Sequence, residues 1–192
     1  MSRATWPATS LHFLRGGGEL FPSGGHGQFA AVPLNLCPRG DEKATYLVNG
    51  TWSKRALIDA SKYCNPVVVS SENQDGTFTN NPSFENLNPE SKYVYLCSNE
   101  TVNGIELHRL PKLDIKAPLV VDASSDFSTK PIDWVGCNVG VLYACASKNI
   151  GHPGLTLCVI RRDLLGTPSQ LCPGVLCYTT NEPLEQHLLL PQ

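Results

Sequence analysis

No apolar run in the sequence approaches the roughly 20 residues that a bilayer-spanning helix requires. Charge of one sign is lacking too: a formal net charge of -2 gives no electrostatic reason to bind nucleic acid or an anionic membrane. Residues 1–18 have no compact apolar stretch followed by a small-residue cleavage site, so no secretory signal is read and a cytoplasmic chain is expected. No internal repeat is visible. Cysteine is not scarce, but close cysteine pairs are. The eight cysteines, at 37, 64, 97, 137, 145, 158, 172 and 177, form neither a zinc-ribbon pattern nor a CxxC redox motif. No metal is therefore expected, and the cysteines read as reduced structural thiols. Cys97, Cys145 and Cys158 lie in strand-like runs, where free cysteine behaves as a small buried hydrophobe. Asn49-Gly50-Thr51 and Asn99-Glu100-Thr101 match the glycosylation sequon, which needs a secretory route and is discounted on that ground.

What is present fits a globular chain. The 192 residues, 41% hydrophobic and 17% charged, suffice for one domain or most of one. An apolar run at 11–14 leads into a glycine-rich segment, Gly16-Gly17-Gly18 through Gly27, and Gln28 to Leu36 reads as a helix kinked or ended near Pro33. Ala44 to Val48 reads as a strand, followed by a helix from Lys54 to Tyr63 with Ser53 as its cap. Val67 to Val69 reads as a brief strand and the polar stretch from Ser70 to Pro89 as loop. Tyr93 to Cys97, Leu119 to Val121, Val139 to Ala146 and Leu155 to Ile160 are near-continuous apolar, β-favouring runs, the pattern of strands buried on both faces. The expected fold class is α/β, a mostly parallel sheet flanked by helices, several of them short or missing. The tail at 181–192 shows no capping or strand logic.

In such sheets ligands collect at the carboxyl ends of the strands. Four strand ends here carry suitable chemistry: Ser98-Asn99-Glu100-Thr101, Asp122-Ala123-Ser124-Ser125, Ser147-Lys148-Asn149, and the segment near Trp52. The glycine-rich turn before Gln28 would present backbone N–H groups at a helix start, which suits a phosphate. A lysine, an aspartate, an aromatic ring and a phosphate nest are together what a pyridoxal cofactor needs. Each has an ordinary reading as well. Asp122 can cap a turn, Trp52 can be core, Thr101 alone means nothing, and Lys148 can be a surface lysine. Against the last stands its place directly after an eight-residue apolar run. The side chains of His12, His26, His108, His152 and His187 read as ordinary loop residues.

Several blocks together resemble the phosphoserine aminotransferase family. They are Gly25-His26-Gly27-Gln28-Phe29, Val32-Pro33-Leu34-Asn35-Leu36, Gly50-Thr51-Trp52-Ser53, Cys97-Ser98-Asn99-Glu100-Thr101-Val102-Asn103-Gly104, Asp122-Ala123-Ser124-Ser125-Asp126, Lys130-Pro131-Ile132-Asp133, Ala146-Ser147-Lys148-Asn149-Ile150-Gly151 and Arg162-Asp163-Leu164-Leu165-Gly166. They follow the family's order from roughly Leu11 to Tyr178. The resemblance implies the large domain of a fold-type I transferase dependent on pyridoxal phosphate (PLP), over residues 1–180, with 181–192 as a divergent tail. It also implies a homodimer, and amino transfer from glutamate to phosphohydroxypyruvate in serine biosynthesis.

By the same resemblance Lys148 bonds the cofactor and moves the substrate proton, and Asp122 pairs with the pyridinium nitrogen. Trp52 stacks on the ring, Thr101 bonds at the phenolic-oxygen side, and the backbone of Gly25 and His26 holds the phosphate. Ser147 belongs to the cofactor-binding set as well, where the family usually has glutamine. The family's N-terminal segment and small C-terminal domain, with their substrate-reading residues, have no counterpart, so a chain truncated at both ends is expected. Glu19 to Ser23 reads as an insertion between two glycine clusters. A related fold-type I enzyme, such as a serine–glyoxylate aminotransferase or a cysteine desulfurase, and a weak or non-catalytic fragment are the competing readings.

Overall fold

A computed structural model describes residues 18–21, 24–85 and 87–179. The apolar run at 11–14, the glycines at 16 and 17 and the tail at 181–192 lie outside them. Along the chain come β1 (Gly18–Phe21), α1 (Gly24–Leu36), β2 (Lys43–Val48), α2 (Thr51–Ala60), β3 (Asn65–Ser70) and β4 (Val94–Cys97). The short hairpin β5 (Asn99–Glu100) and β6 (Ile105–Glu106) follows, then β7 (Leu119–Asp122), β8 (Val139–Cys145) and β9 (Thr156–Ile160).

Seven strands form one sheet in the order β1-β9-β8-β7-β4-β2-β3. From β3 to β8 all pairings are parallel, and β9 and β1 add antiparallel at the edge. Side chains alternate between the faces, so each strand feeds two apolar layers. Tyr46, Tyr95, Val120, Val141 and Tyr143 point to the side that carries Phe29 and Val32 of α1 and Ala56 of α2. Leu47, Leu96, Val121 and Leu142 point to the other side, where loop residues such as Phe84, Ile115, Phe127 and Trp134 cover them. The mostly parallel sheet expected from the apolar runs is present, with helices on one face and loops on the other among the described residues.

Three local readings differ from the structure. Part of the segment read as an insertion, residues 19–21, lies in the edge strand Gly18–Phe21, which pairs with β9. No alternation marks it; what holds it is the partner strand and Phe21, which is fully buried and packs edge-on against Tyr178 with ring centroids 5.7 Å apart. α1 begins at Gly24, whose φ of +64° suits glycine, and continues past Pro33 to Leu36 because Ala31, Val32, Leu34 and Asn35 are all buried by neighbours. α2 starts at Thr51, so Ser53 lies inside its first turn rather than capping it.

After β9 the chain returns to α1. Asn35 donates to the Leu176 carbonyl (2.8 Å) and accepts from the Tyr178 N–H (2.9 Å), while the Tyr178 hydroxyl donates to Gln28 Oε1 (2.9 Å). None of the eight cysteines forms a disulfide; Cys97 and Cys158 are buried as expected, but Cys145 is only half-buried. Among the described residues no helix is long and apolar enough to cross a membrane, and no group of three or more His, Cys, Asp or Glu residues could hold a metal.

β2 leads outward through α2 to β3, and the chain then passes back beyond β2 to β4. This reversal opens a crevice at the carboxyl ends of the parallel strands, which is where α/β sheets bind ligands.

Candidate active site

β7 ends on Asp122, which is buried. Its Oδ1 accepts the Ser124 N–H at 3.0 Å, the turn-capping role that the sequence allows, and its Oδ2 accepts the Tyr143 hydroxyl at 3.0 Å. Among the described residues no lysine or arginine pairs with it. Burial pushes the Asp122 carboxyl above the usual carboxylate range, against the lowering effect of the bonds from Ser124 and Tyr143. A buried anion with only neutral donors is an arrangement that a cationic ring nitrogen would complete.

β2 ends at Val48, and Asn49-Gly50 turn the chain into α2. The first free N–H groups of this helix are met from the β5–β6 hairpin. Glu100, fully buried, accepts from Trp52 N (2.9 Å) and Ser53 N (2.6 Å), and Asn103 Oδ1 accepts from Thr51 N (2.9 Å). The Ser53 hydroxyl accepts from Asn49 N and Gly50 N at 3.0 and 3.1 Å. Gly50 is needed for the close approach, since a Cβ there would stand 2.5 Å from Glu100 Cδ. The carboxylate thereby fixes the start of the helix, and with it Trp52. The Trp52 indole N–H is buried without a partner, and its ring meets His26 edge-on at 5.7 Å.

β8 delivers Ser147 and Lys148 just beyond its end. Lys148 Nζ donates to Thr101 Oγ1 at 3.0 Å and stands 5.2 Å from the centroid of the Trp52 ring, a cation–π distance. α1 brings its first turn to the same place. Gly25 lies so close to the β7 and β8 ends that a Cβ on it would sit 3.4 Å from Ser124 Oγ and 3.5 Å from Cys145 Cβ. Gly25, His26, Trp52, Asp122, Ser147 and Lys148 line one cavity of about 120 Å³. Thr101 reaches it through Lys148. Every residue singled out from the sequence is therefore brought together. His152 is exposed, with its Nδ1 2.9 Å from the Pro153 carbonyl.

The sequence reading gave no individual role to Cys145, to Ser124 or to the tyrosines behind Asp122. Burial raises the Cys145 thiol, but hydrogen bonds from the Ser147 hydroxyl and from the backbone of Ser147 and Gly25 outweigh it, and the net direction is down. Ser124 supplies its N–H to Asp122, and its hydroxyl accepts from Cys145 N at 3.1 Å. Strand apolarity hid the cysteine, while Ser124 carried a signal in its place two residues after a strand-end aspartate.

The family description "Aminotransferase class-V" matches residues 19–182. The chain belongs to the class-V aminotransferase family. Within that family it is 39% identical over 176 residues to phosphoserine aminotransferase 2, chloroplastic, of Arabidopsis thaliana, covering 90% of this chain and 39% of the relative. It is 42% identical over 166 residues to a phosphoserine aminotransferase of Albidiferax ferrireducens, covering 82% of this chain and 44% of the relative. The chain thus spans less than half the length of these two curated relatives. Among solved structures, a PLP-bound phosphoserine aminotransferase of Trichomonas vaginalis superposes with a TM-score of 0.77 at 28% identity, over 94% of this chain and 54% of the other. The enzyme from Bacillus circulans subsp. alkalophilus gives 0.76 at 28% identity, over 94% and 53%. The class-V chain has the aminotransferase fold across that shared portion.

Proposed function

We propose that the cavity holds pyridoxal phosphate and serves amino transfer from glutamate to phosphohydroxypyruvate, yielding phosphoserine. The observation that carries this reading is the buried Asp122 carboxylate, without a cation among the described residues, lining the same cavity as Lys148. The donor set fits the cofactor: a carboxylate for the ring nitrogen, an indole ring for its face, and a helix start with Gly25 and His26 for its phosphate. When bound, pyridoxal phosphate supplies an electron sink for the substrate's α-carbon. Asp122 keeps the ring nitrogen protonated. Lys148 Nζ would hold the cofactor and, once released from it by the amino substrate, would carry the proton to and from the α-carbon. Thr101 orients Lys148 and would bond at the phenolic-oxygen side, Trp52 would pack on the ring, and Ser147 lines the cavity with its hydroxyl 3.2 Å from Cys145 Sγ, one phosphate contact fewer than the family's glutamine implies. A cytoplasmic homodimer completes the proposal. The eight free thiols suit a reducing compartment, and the dimer follows from the resemblance to the phosphoserine aminotransferases.

A second reading is a form that binds PLP or a full-length subunit but turns over weakly or not at all. Absorption spectroscopy separates the possibilities. Added PLP should give a visible band that borohydride removes and that Lys148→Ala lacks. A folded chain without the band would overturn the cofactor site. Phosphoserine formation dependent on glutamate then decides between the two readings.

A further inference from the structure

The proposed roles leave the wall behind Asp122 unused. In the parallel register Cys97, Asp122 and Tyr143 stand side by side on β4, β7 and β8, and Tyr95 lies one pleat before Cys97 on the same face. The two tyrosines reach Asp122 from opposite sides. The Tyr143 hydroxyl donates to Oδ2 at 3.0 Å, and the Tyr95 hydroxyl lies 3.1 Å from that of Tyr143 and 3.5 Å from Oδ2. Both residues are at most 1% exposed. Packing alone would be served as well by phenylalanine, whereas a buried hydroxyl needs a partner. Here the partner is the carboxylate, with Tyr95 polarising Tyr143 and Tyr143 donating to Oδ2. Tyr46 stacks on Tyr95 with centroids 4.9 Å apart and holds that ring in place.

We propose that Tyr95 and Tyr143 are positioning residues for Asp122, a hydroxyl pair that fixes the orientation of the carboxylate and keeps it ionised at a dry strand end. With Oδ1 tied to the Ser124 N–H and Oδ2 to the pair, one side-chain orientation satisfies every bond. Burial favours the neutral acid, and the Tyr143 bond opposes it. The other titratable groups around Asp122 are Cys97 on β4 and Glu100 on β5, with His26, Cys145 and Lys148 around the cavity. The purpose of the pair rests on the PLP reading, but its test does not.

The test is carboxyl 13C NMR of the aspartate-labelled, PLP-free chain, with the Asp122 signal assigned by its loss in Asp122→Asn. Tyr143→Phe should move the Asp122 titration upward by about one pH unit, the size of one hydrogen bond to a charged group. Tyr95→Phe should move it the same way by less. A role confined to packing would alter the melting temperature and leave the titration in place. An unmoved titration in folded Tyr143→Phe overturns the proposal. If that variant does not fold, an unmoved titration in Tyr95→Phe overturns it instead. Failure of the absorption test without failure of this one would reject the cofactor and keep the pair.

Discussion

At Asp122 burial and hydrogen bonding pull the carboxyl in opposite directions, and the net effect has a measurable sign. Its pKa is raised by burial above the unfolded value of about 3.9. Its stabilising contribution is therefore fully present below that value and is lost as pH rises through the raised folded pKa. Wherever it is ionised, the carboxylate opposes folding of the cofactor-free chain. Asp122→Asn should raise the melting temperature of the PLP-free protein at neutral pH, and the gain should vanish in acid. The same change should weaken PLP binding on the order of tenfold, as expected for loss of one charge-assisted bond. A melting temperature that falls at neutral pH would contradict the assignment. Asp122 and Lys148 were legible in the sequence because each is a charged residue at the end of an apolar run, Asp122 buried there and Lys148 exposed at the mouth of the cavity. Tyr95 and Tyr143 were not, since a tyrosine inside such a run reads as core and its hydroxyl partner lies on another strand.

At the scale of elements, the start of α2 depends on a carboxylate 47 residues away from Ser53, supplied by the β5–β6 hairpin. Glu100→Ala would leave two buried N–H groups without an acceptor, and should lower stability by about 2–4 kcal/mol in a denaturant titration. It should also weaken PLP binding, because Trp52 and Thr101 flank the lost group. Undiminished stability would mean that water replaces the carboxylate. Sequence logic sought a local cap and chose Ser53, since capping boxes are built from near neighbours. A cap delivered by tertiary structure leaves no trace in the spacing. β1 escaped for a related reason: a four-residue edge strand is defined by the strand it pairs with. The central parallel strands were legible because burial on both faces makes them apolar throughout.

Across the whole molecule, the matched relatives and the fold place the chain in one portion of a larger aminotransferase architecture, and the PLP and lysine test addresses that portion directly. One feature of the fold reaches from its beginning to its end. Asn35 and Gln28 of α1 are buried, and they find their partners in Tyr178, 143 and 150 residues later. During synthesis at about 5–20 residues per second, α1 would leave the ribosome on the order of ten seconds before the residue that satisfies it. Nascent chains ended after β9 should therefore be cut by protease within α1, while chains extended to residue 179 resist. The helix that offers its first turn to the site is thus made early and secured late, so the ligand pocket matures only once residue 178 has emerged.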